Sequence, residues 1–173
     1  MRFVATAAGF AFALASIPAF AEDAKPNDAQ IAHIAYTAGE IDIKAAKLAL
    51  QKSKNQEVRD FAENMVRDHA AVNDQALALV KKLNVTPQDN DTSKALLKQA
   101  EAERAELEKL SGAQFDKAYA DNEVAYHKAV DHALETVLIP DATNAELNDL
   151  LTTGLKIFLG HEQHAEHVAQ SLK

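Results

Sequence analysis

Five stretches of this chain carry apolar residues at helical spacing. The three prolines beyond the N-terminal segment (Pro26, Pro87, Pro140) fall at their borders. That arrangement leaves little choice of fold, because proline ends helices and a 3.6-residue period cannot serve as a strand. The first helix is expected over Asp28 to Ser53, with Asp28 as its N-cap and an alanine-rich body. The second runs from Asn55 to Asn84 and ends at Val85-Thr86-Pro87-Gln88-Asp89-Asn90-Asp91, a run of turn formers. A third stretch, Thr92 to Leu110, is rich in Lys and Glu and has only a thin apolar stripe. Ser111-Gly112 punctuates it. A fourth stretch, Ala113 to Leu138, stops before Pro140, and the last starts near Thr143 or Asn144 and runs to the C-terminus.

No strand pattern is visible, so the chain reads as all-α. The third stretch sets the topology. It returns the chain to its starting end, so that the fourth helix runs parallel to the second. The expectation is a ferritin-like four-helix bundle with a helical crossover between the second and third main helices.

The N-terminal residues belong to a different category. Arg2, an apolar run from Phe3 to Ile17, and Ala19-Phe20-Ala21 have the layout of a signal peptide over residues 1–21, cleaved after Ala21. The run is too short and wrongly flanked for a spanning helix, and no later segment has the apolar length to cross a bilayer. Residues 22–27 then form a polar tether and 28–173 the bundle domain. Export is expected, to the periplasm, with outer-membrane association or secretion as variants of the same reading. Removing the leader takes one of the 18 basic residues and none of the 26 acidic ones, giving a net charge of −9 over 152 residues. An acidic chain without a basic patch is a poor partner for nucleic acid. Cysteine is absent, so any metal site must be made of His and carboxylates.

Placing each side chain at 3.6 residues per turn sorts the polar residues by face. Asp42 lies in the middle of the apolar face of the first helix, whereas Glu40 points the other way. His69 lies near the centre of the face made by Val58, Ala62, Met65, Val72 and Ala76. Glu123 lies inside the apolar arc of the fourth stretch, with His127 near its edge one turn later. His161 lies near the middle of the last stripe, while His132 and His167 face away. By helix rise Asp42, His69 and His127 meet at one level, and His161 comes out about one turn off.

Burying ionisable groups costs several kcal/mol each unless they are paired or bind a metal. Three imidazoles and one or two carboxylates converging in a dry bundle suit Fe, Mn, Zn or Cu better than Mg or Ca. The candidate ligands are therefore Asp42, His69, Glu123, His127 and His161, with Asp68, Asn73 and Tyr126 as neighbours able to orient them. The HEQHAEH run, His161 to His167, drifts around its helix and does not read as a site of its own. The competing reading is a non-catalytic envelope protein whose Asp/His cluster only sets packing. A metal-dependent oxidoreductase is a third, and would need an open coordination position and a substrate channel.

Two segments carry a family resemblance. KLALQKSKNQEVRDFAENMVRDH, Lys47 to His69, and LSGAQFDKAYADNEVAYHKAV, Leu110 to Val130, resemble the exported bacterial family called domain of unknown function 4142, which is assigned to the ferritin-like superfamily. The resemblance implies that His69, His127 and His161 are the family's recurrent histidines and that Asp42 stands at an acidic position. It implies fold and export and supplies no activity. Di-iron bundles carry Glu-x-x-His on two helices, but here Val66, Val124 and Phe158 stand three residues before the histidines. The expected role is metal handling or envelope stress protection rather than iron storage.

Overall fold

The computed structural model describes residues 25–172, so the leader and the first half of the tether lie outside the described residues. It contains α1 (Asp28–Lys52), α2 (Gln56–Lys82), α3 (Asp91–Lys109), α4 (Gly112–Ala133), a π-helical turn (Leu134–Leu138), α5 (Ile139–Asp141) and α6 (Ala145–Ser171). Among the described residues there are no strands. The hairpins α1–α2 and α4–α6 pack against each other, α2 lies beside α6, and α3 covers the seam between α1 and α4. This is the expected bundle with its helical crossover.

Asparagine starts four of the helices. Asn27, Asn55, Asn90 and Asn144 each accept a hydrogen bond from a backbone N–H of the first turn, satisfying donors that a helix start leaves free. The expectation of Asp28 as the first N-cap is therefore corrected by one residue. Asn27 forms a reciprocal capping box with Gln30. The Asp28 carboxylate instead accepts from the Thr143 N–H, the Thr143 hydroxyl and the Asn144 N–H, tying the start of α1 to the turn before α6. At the far end of α2, Asn84 takes the left-handed conformation (φ 53°). Val85 N–H reaches the Val80 carbonyl and Asn84 N–H the Lys81 carbonyl, a Schellman stop in which asparagine substitutes for the usual glycine.

Pro140 does not end the fourth helix where the sequence places the stop. The chain widens into the π turn and then continues helically through Pro140 to Asp141. A proline ring clashes with the carbonyl four residues back in an ordinary α-turn, and widening the preceding turn removes that conflict.

Two apolar clusters fill the bundle, one at each end. Val58, Phe61, Met65, Phe115, Tyr119 and Val168 centre the first. Ile31, Ile34, Leu134, Leu138, Leu151 and Phe158 centre the second. Between them lies a belt of buried ionisable side chains: Asp42, His69, Glu123, His127 and His161.

Candidate metal centre

Each ligand candidate is placed by its own helix, and the five arrive together. Asp42, Glu123 and His127 are each 1% exposed, His69 3% and His161 6%. The imidazole centroids form a near-equilateral triangle, with His69–His127 at 5.8 Å, His69–His161 at 5.3 Å and His127–His161 at 5.6 Å. Asp42 bridges two of them: its Oδ2 lies 3.3 Å from His69 Nε2 and 3.5 Å from His127 Nε2. Glu123 Oε2 sits 3.7 Å from His127 Nδ1, one helical turn away.

The height mismatch expected for His161 is absent, and the course of the chain through Pro140 explains it. His127 lies 14 residues before Asp141, where α5 ends, and His161 lies 16 after Ala145, where α6 begins. Because helix persists past the proline, the turn comes later and the two histidines come level.

Fixed tautomers give the triangle its chemical sense. His127 Nδ1 lies 3.0 Å from the Glu123 backbone carbonyl. A proton there leaves the Nε2 lone pair facing Asp42 and His69. His161 Nε2 lies 3.1 Å from Asp68 Oδ2, which likewise leaves Nδ1 as the free lone pair. Orientation of a ligating imidazole by a carbonyl or carboxylate on its other nitrogen is how protein metal sites hold their ligands. Phe158 stacks on His69 at 4.5 Å with ring planes 8° apart, which fixes the third ring by packing instead.

The atoms left over are unpartnered. His127 Nε2, His161 Nδ1, both ring nitrogens of His69, both oxygens of Asp42 and Oε2 of Glu123 are buried without a hydrogen bond among the described residues. Buried polar atoms are normally paired, and each orphan costs on the order of 1–3 kcal/mol. Ligand atoms of His69, His127 and His161 all lie within 4.8 Å of one another, as do those of Asp42, Glu123 and His127. Nitrogens about 2.0–2.1 Å from a tetrahedral ion stand roughly 3.4 Å apart, so the three rings would draw inward around one.

Electrostatics agree with the geometry. Burial raises the Asp42 carboxyl to about 8. It also holds Glu123 well above the usual carboxylate range, with the charges of Asp42 and Glu103 adding to the effect. Burial lowers His127 to about 4, against the opposing effect of its bond to the Glu123 carbonyl. His69 falls well below the ordinary imidazole value through burial and then through His127 and His161. Burial also lowers His161, although Asp68 offsets part of this. The site thus favours uncharged imidazoles with free lone pairs, the form a cation binds.

Its two flanks differ. Toward the π-helical turn and α6 lies a cavity of about 50 Å³, walled mainly by apolar residues such as Val72, Leu134, Leu151, Gly154 and Phe158, with His69 and His127 also in its lining. Toward α3, a groove between α1, α3 and α4 has Asp42 and Glu123 in its lining.

Of the three residues expected to orient the ligands, Asp68 bonds one of them, whereas Tyr126 and Asn73 make their hydrogen bonds elsewhere. Asp68 holds His161, and the Tyr126 hydroxyl donates to the Ala38 carbonyl at 2.8 Å. Asn73 donates to Glu40 Oε1 at 3.1 Å and packs against Gly39 so closely that a Cβ there would sit 2.4 Å from Asn73 Oδ1. Glu40 is therefore corrected from outward-facing to half-buried at the α1–α2 border, because Asn73 draws its carboxylate inward. The stacking of Phe158 on His69 was not legible in the sequence, although the i,i+3 spacing of Phe158 and His161 places both on one face. Nor was the burial of Asp131, which is 3% exposed and raised to about 7 by desolvation and then by Glu162 and Glu135.

The chain belongs to the family described as Domain of unknown function (DUF4142), whose profile matches residues 14–168. Comparison with curated proteins gives no match. Among solved structures, the fold is similar to that of a protein described as "CopM in the Cu(II)-bound form". The TM-score is 0.63 and the identity 16%, over 84% of this chain and 98% of that one.

Proposed function

We propose that this member of the DUF4142 family is an exported metal-handling protein. It binds one transition-metal ion in the bundle core through His69, His127 and His161, with Asp42 as the carboxylate ligand and Glu123 as a reserve ligand. The observation that carries the reading is the convergence of unpartnered lone pairs. His127 Nε2 and His161 Nδ1 are freed by contacts on their other ring nitrogens and are buried without partners. His127 Nε2 lies 3.5 Å from Asp42 Oδ2, and ligand atoms of the three histidines lie within 4.8 Å of one another.

Three imidazole nitrogens and a carboxylate are intermediate donors, suited to Cu(II) and Zn(II) and serviceable for Fe and Mn. Affinity for divalent ions peaks at copper in such sites, and the similar fold of CopM was solved with Cu(II) bound. Copper is the first choice on both counts. The leader-like residues 1–21 support a periplasmic location, where an ion-binding bundle would serve envelope metal homeostasis and protection against metal stress. An ion-pairing role limited to packing is less well supported, because none of the Asp42–His contacts satisfies its atoms as a hydrogen bond.

The test is titration of tag-free, metal-stripped protein with Cu(II), Zn(II), Fe(II) and Mn(II), followed by metal analysis after desalting. One ion per chain is expected, with Cu(II) bound tightest. His127→Ala and His161→Ala should each weaken binding at least tenfold while the helical circular dichroism stays unchanged. Sub-stoichiometric binding, or variants that bind like the wild type, would sink the proposal.

A further inference from the structure

The groove beneath α3 connects the protein surface to the buried carboxylates, and the histidine triangle alone gives no reason for it. It encloses about 60 Å³, room for several waters where ~10–15 Å³ admits one. Its rim includes Leu97, Ala100 and Glu103 of α3, and its floor includes Asp42 and Glu123. Both floor residues are 1% exposed, and both Asp42 oxygens and Glu123 Oε2 lack partners. A cation arriving by this route would meet oxygen ligands before it met the histidines. On the opposite flank the cavity walls are mostly apolar and carry no carboxylate, so a cation there would shed its waters with no anionic oxygen to replace them before it reached His69 and His127.

Cover over the groove is light. Ser93 and Leu107 are the two buried residues of α3, so the crossover helix is anchored near its ends and not along its middle. The rim is mixed in charge, with Lys44 and Arg104 beside Glu101 and Glu103. Arg104 is engaged by Glu108 at 2.9 Å, and Gln99 donates to Glu103 Oε1 at 2.9 Å. Glu103 is half-buried where Glu101 is exposed, and its charge is the one that reaches Glu123 on the floor.

We infer that divalent cations reach the histidine site through this groove, with Glu103 at its mouth and Glu123 as the transfer ligand that passes the ion to Asp42. The inference rests on the metal-binding reading above and adds the direction of approach to it. A residue on the path, as distinct from a ligand, changes association and dissociation rates together and leaves the equilibrium where it was.

Stopped-flow mixing of metal-stripped protein with Cu(II) and with Zn(II), alongside competition measurements of Kd, separates the two. Ala100→Trp fills the groove from its rim. It should slow association and dissociation alike by at least tenfold, with Kd kept within about twofold. Glu103→Gln should slow association several-fold at low salt, an effect that fades as ionic strength rises. Leu77→Trp, on an exposed face of α2, should change neither rate. If Ala100→Trp loses helical signal, Glu103→Gln and the opposite change Lys44→Glu, expected to speed association, decide the matter. Wild-type rates in these variants together with wild-type Kd overturn the path and leave the metal site standing. Failure of the wild-type protein to bind either ion removes the site itself, and the path with it, before any variant is compared.

Discussion

The packed ends of the bundle and the belt between them are built on opposite terms. At the α1–α2 turn end, Phe61, Phe115 and Tyr119 are at most 1% exposed and meet ring to ring. Phe61 approaches Tyr119 edge-on and Phe115 stacks on it, both with centroids 6.1 Å apart. Burial of such surface is favourable at roughly 25 cal/mol per Å². In the belt, five ionisable side chains are buried with orphaned atoms, and the same burial is unfavourable. The ends therefore supply stability and the belt consumes it, the pattern expected where a site is kept for binding and not for folding. The sharpest way to break this division is Phe61→Ala. It should cost about 3–5 kcal/mol, the range for deleting a buried aromatic ring, seen as a lower urea midpoint. Metal affinity should be unchanged, because Phe61 contacts Tyr119 and His164 and not the histidine triangle. A small loss of stability, or a large loss of affinity, would show that the two regions are not separable.

Asp42→Asn probes the belt and should act with the opposite sign. The folded carboxyl keeps its proton up to about 8, against an ordinary value near 3.8. Between those values the unfolded chain holds fewer protons than the folded one, so metal-free stability falls as pH rises. The depressed histidines work the other way, but only below about 6.5, where unfolded imidazole takes up a proton that His127 refuses until about 4. From pH 6.5 to 8 the carboxyls decide the slope, and Glu123 adds to it in the same sense. Asn at position 42 should raise metal-free stability at pH 8 by about 1–4 kcal/mol, the range seen when buried ionic groups are replaced. The gain should vanish toward pH 4. In the wild type, metal binding at pH 7 should release about one proton from Asp42, visible as a binding enthalpy that changes with the ionisation enthalpy of the buffer. The Asn variant should show weaker binding and less release. A variant no more stable than wild type at pH 8 would mean that Asp42 is not strained by burial.

The ends and the belt also differ in how far sequence alone describes them. Apolar periodicity is a local property, so the helices, the crossover and the buried faces of Asp42, His69, Glu123 and His161 could be read residue by residue. Errors arose where one element acts on another. Asp28 lost the cap position to Asn27 because its carboxylate is drawn to Thr143 and Asn144, more than a hundred residues away. Glu40 turned inward because Asn73 reaches it from α2. His161 came level because a π turn carries helix through Pro140, and helical spacing cannot foresee a change of winding. The tautomers of His127 and His161 depend on contacts at 3.0 and 3.1 Å that only folding creates.

The last of those contacts gives the most delicate test of the belt. Asp68 stands at its border, with a quarter of its side chain exposed, so the fold should not depend on it. Its carboxyl is held below the usual range, first by the hydrogen bond from Arg67 and also by His161, and it therefore faces His161 Nε2 as an anion. An anionic acceptor fixes the Nε2 proton and directs the Nδ1 lone pair inward. It also makes the imidazole a better donor. Asp68→Asn keeps the shape and removes the charge, and the amide can present either its oxygen or its NH₂ group to the ring. Metal affinity should fall about 10–100-fold, the usual cost of losing such a partner, while the unfolding free energy of the metal-free protein stays within about 0.5 kcal/mol. Arg67→Gln, which loosens Asp68 without neutralising it, should fall between the variant and the wild type. Unchanged affinity in Asp68→Asn would mean that His161 does not bind through Nδ1. The three-histidine centre would then reduce to His69, His127 and Asp42.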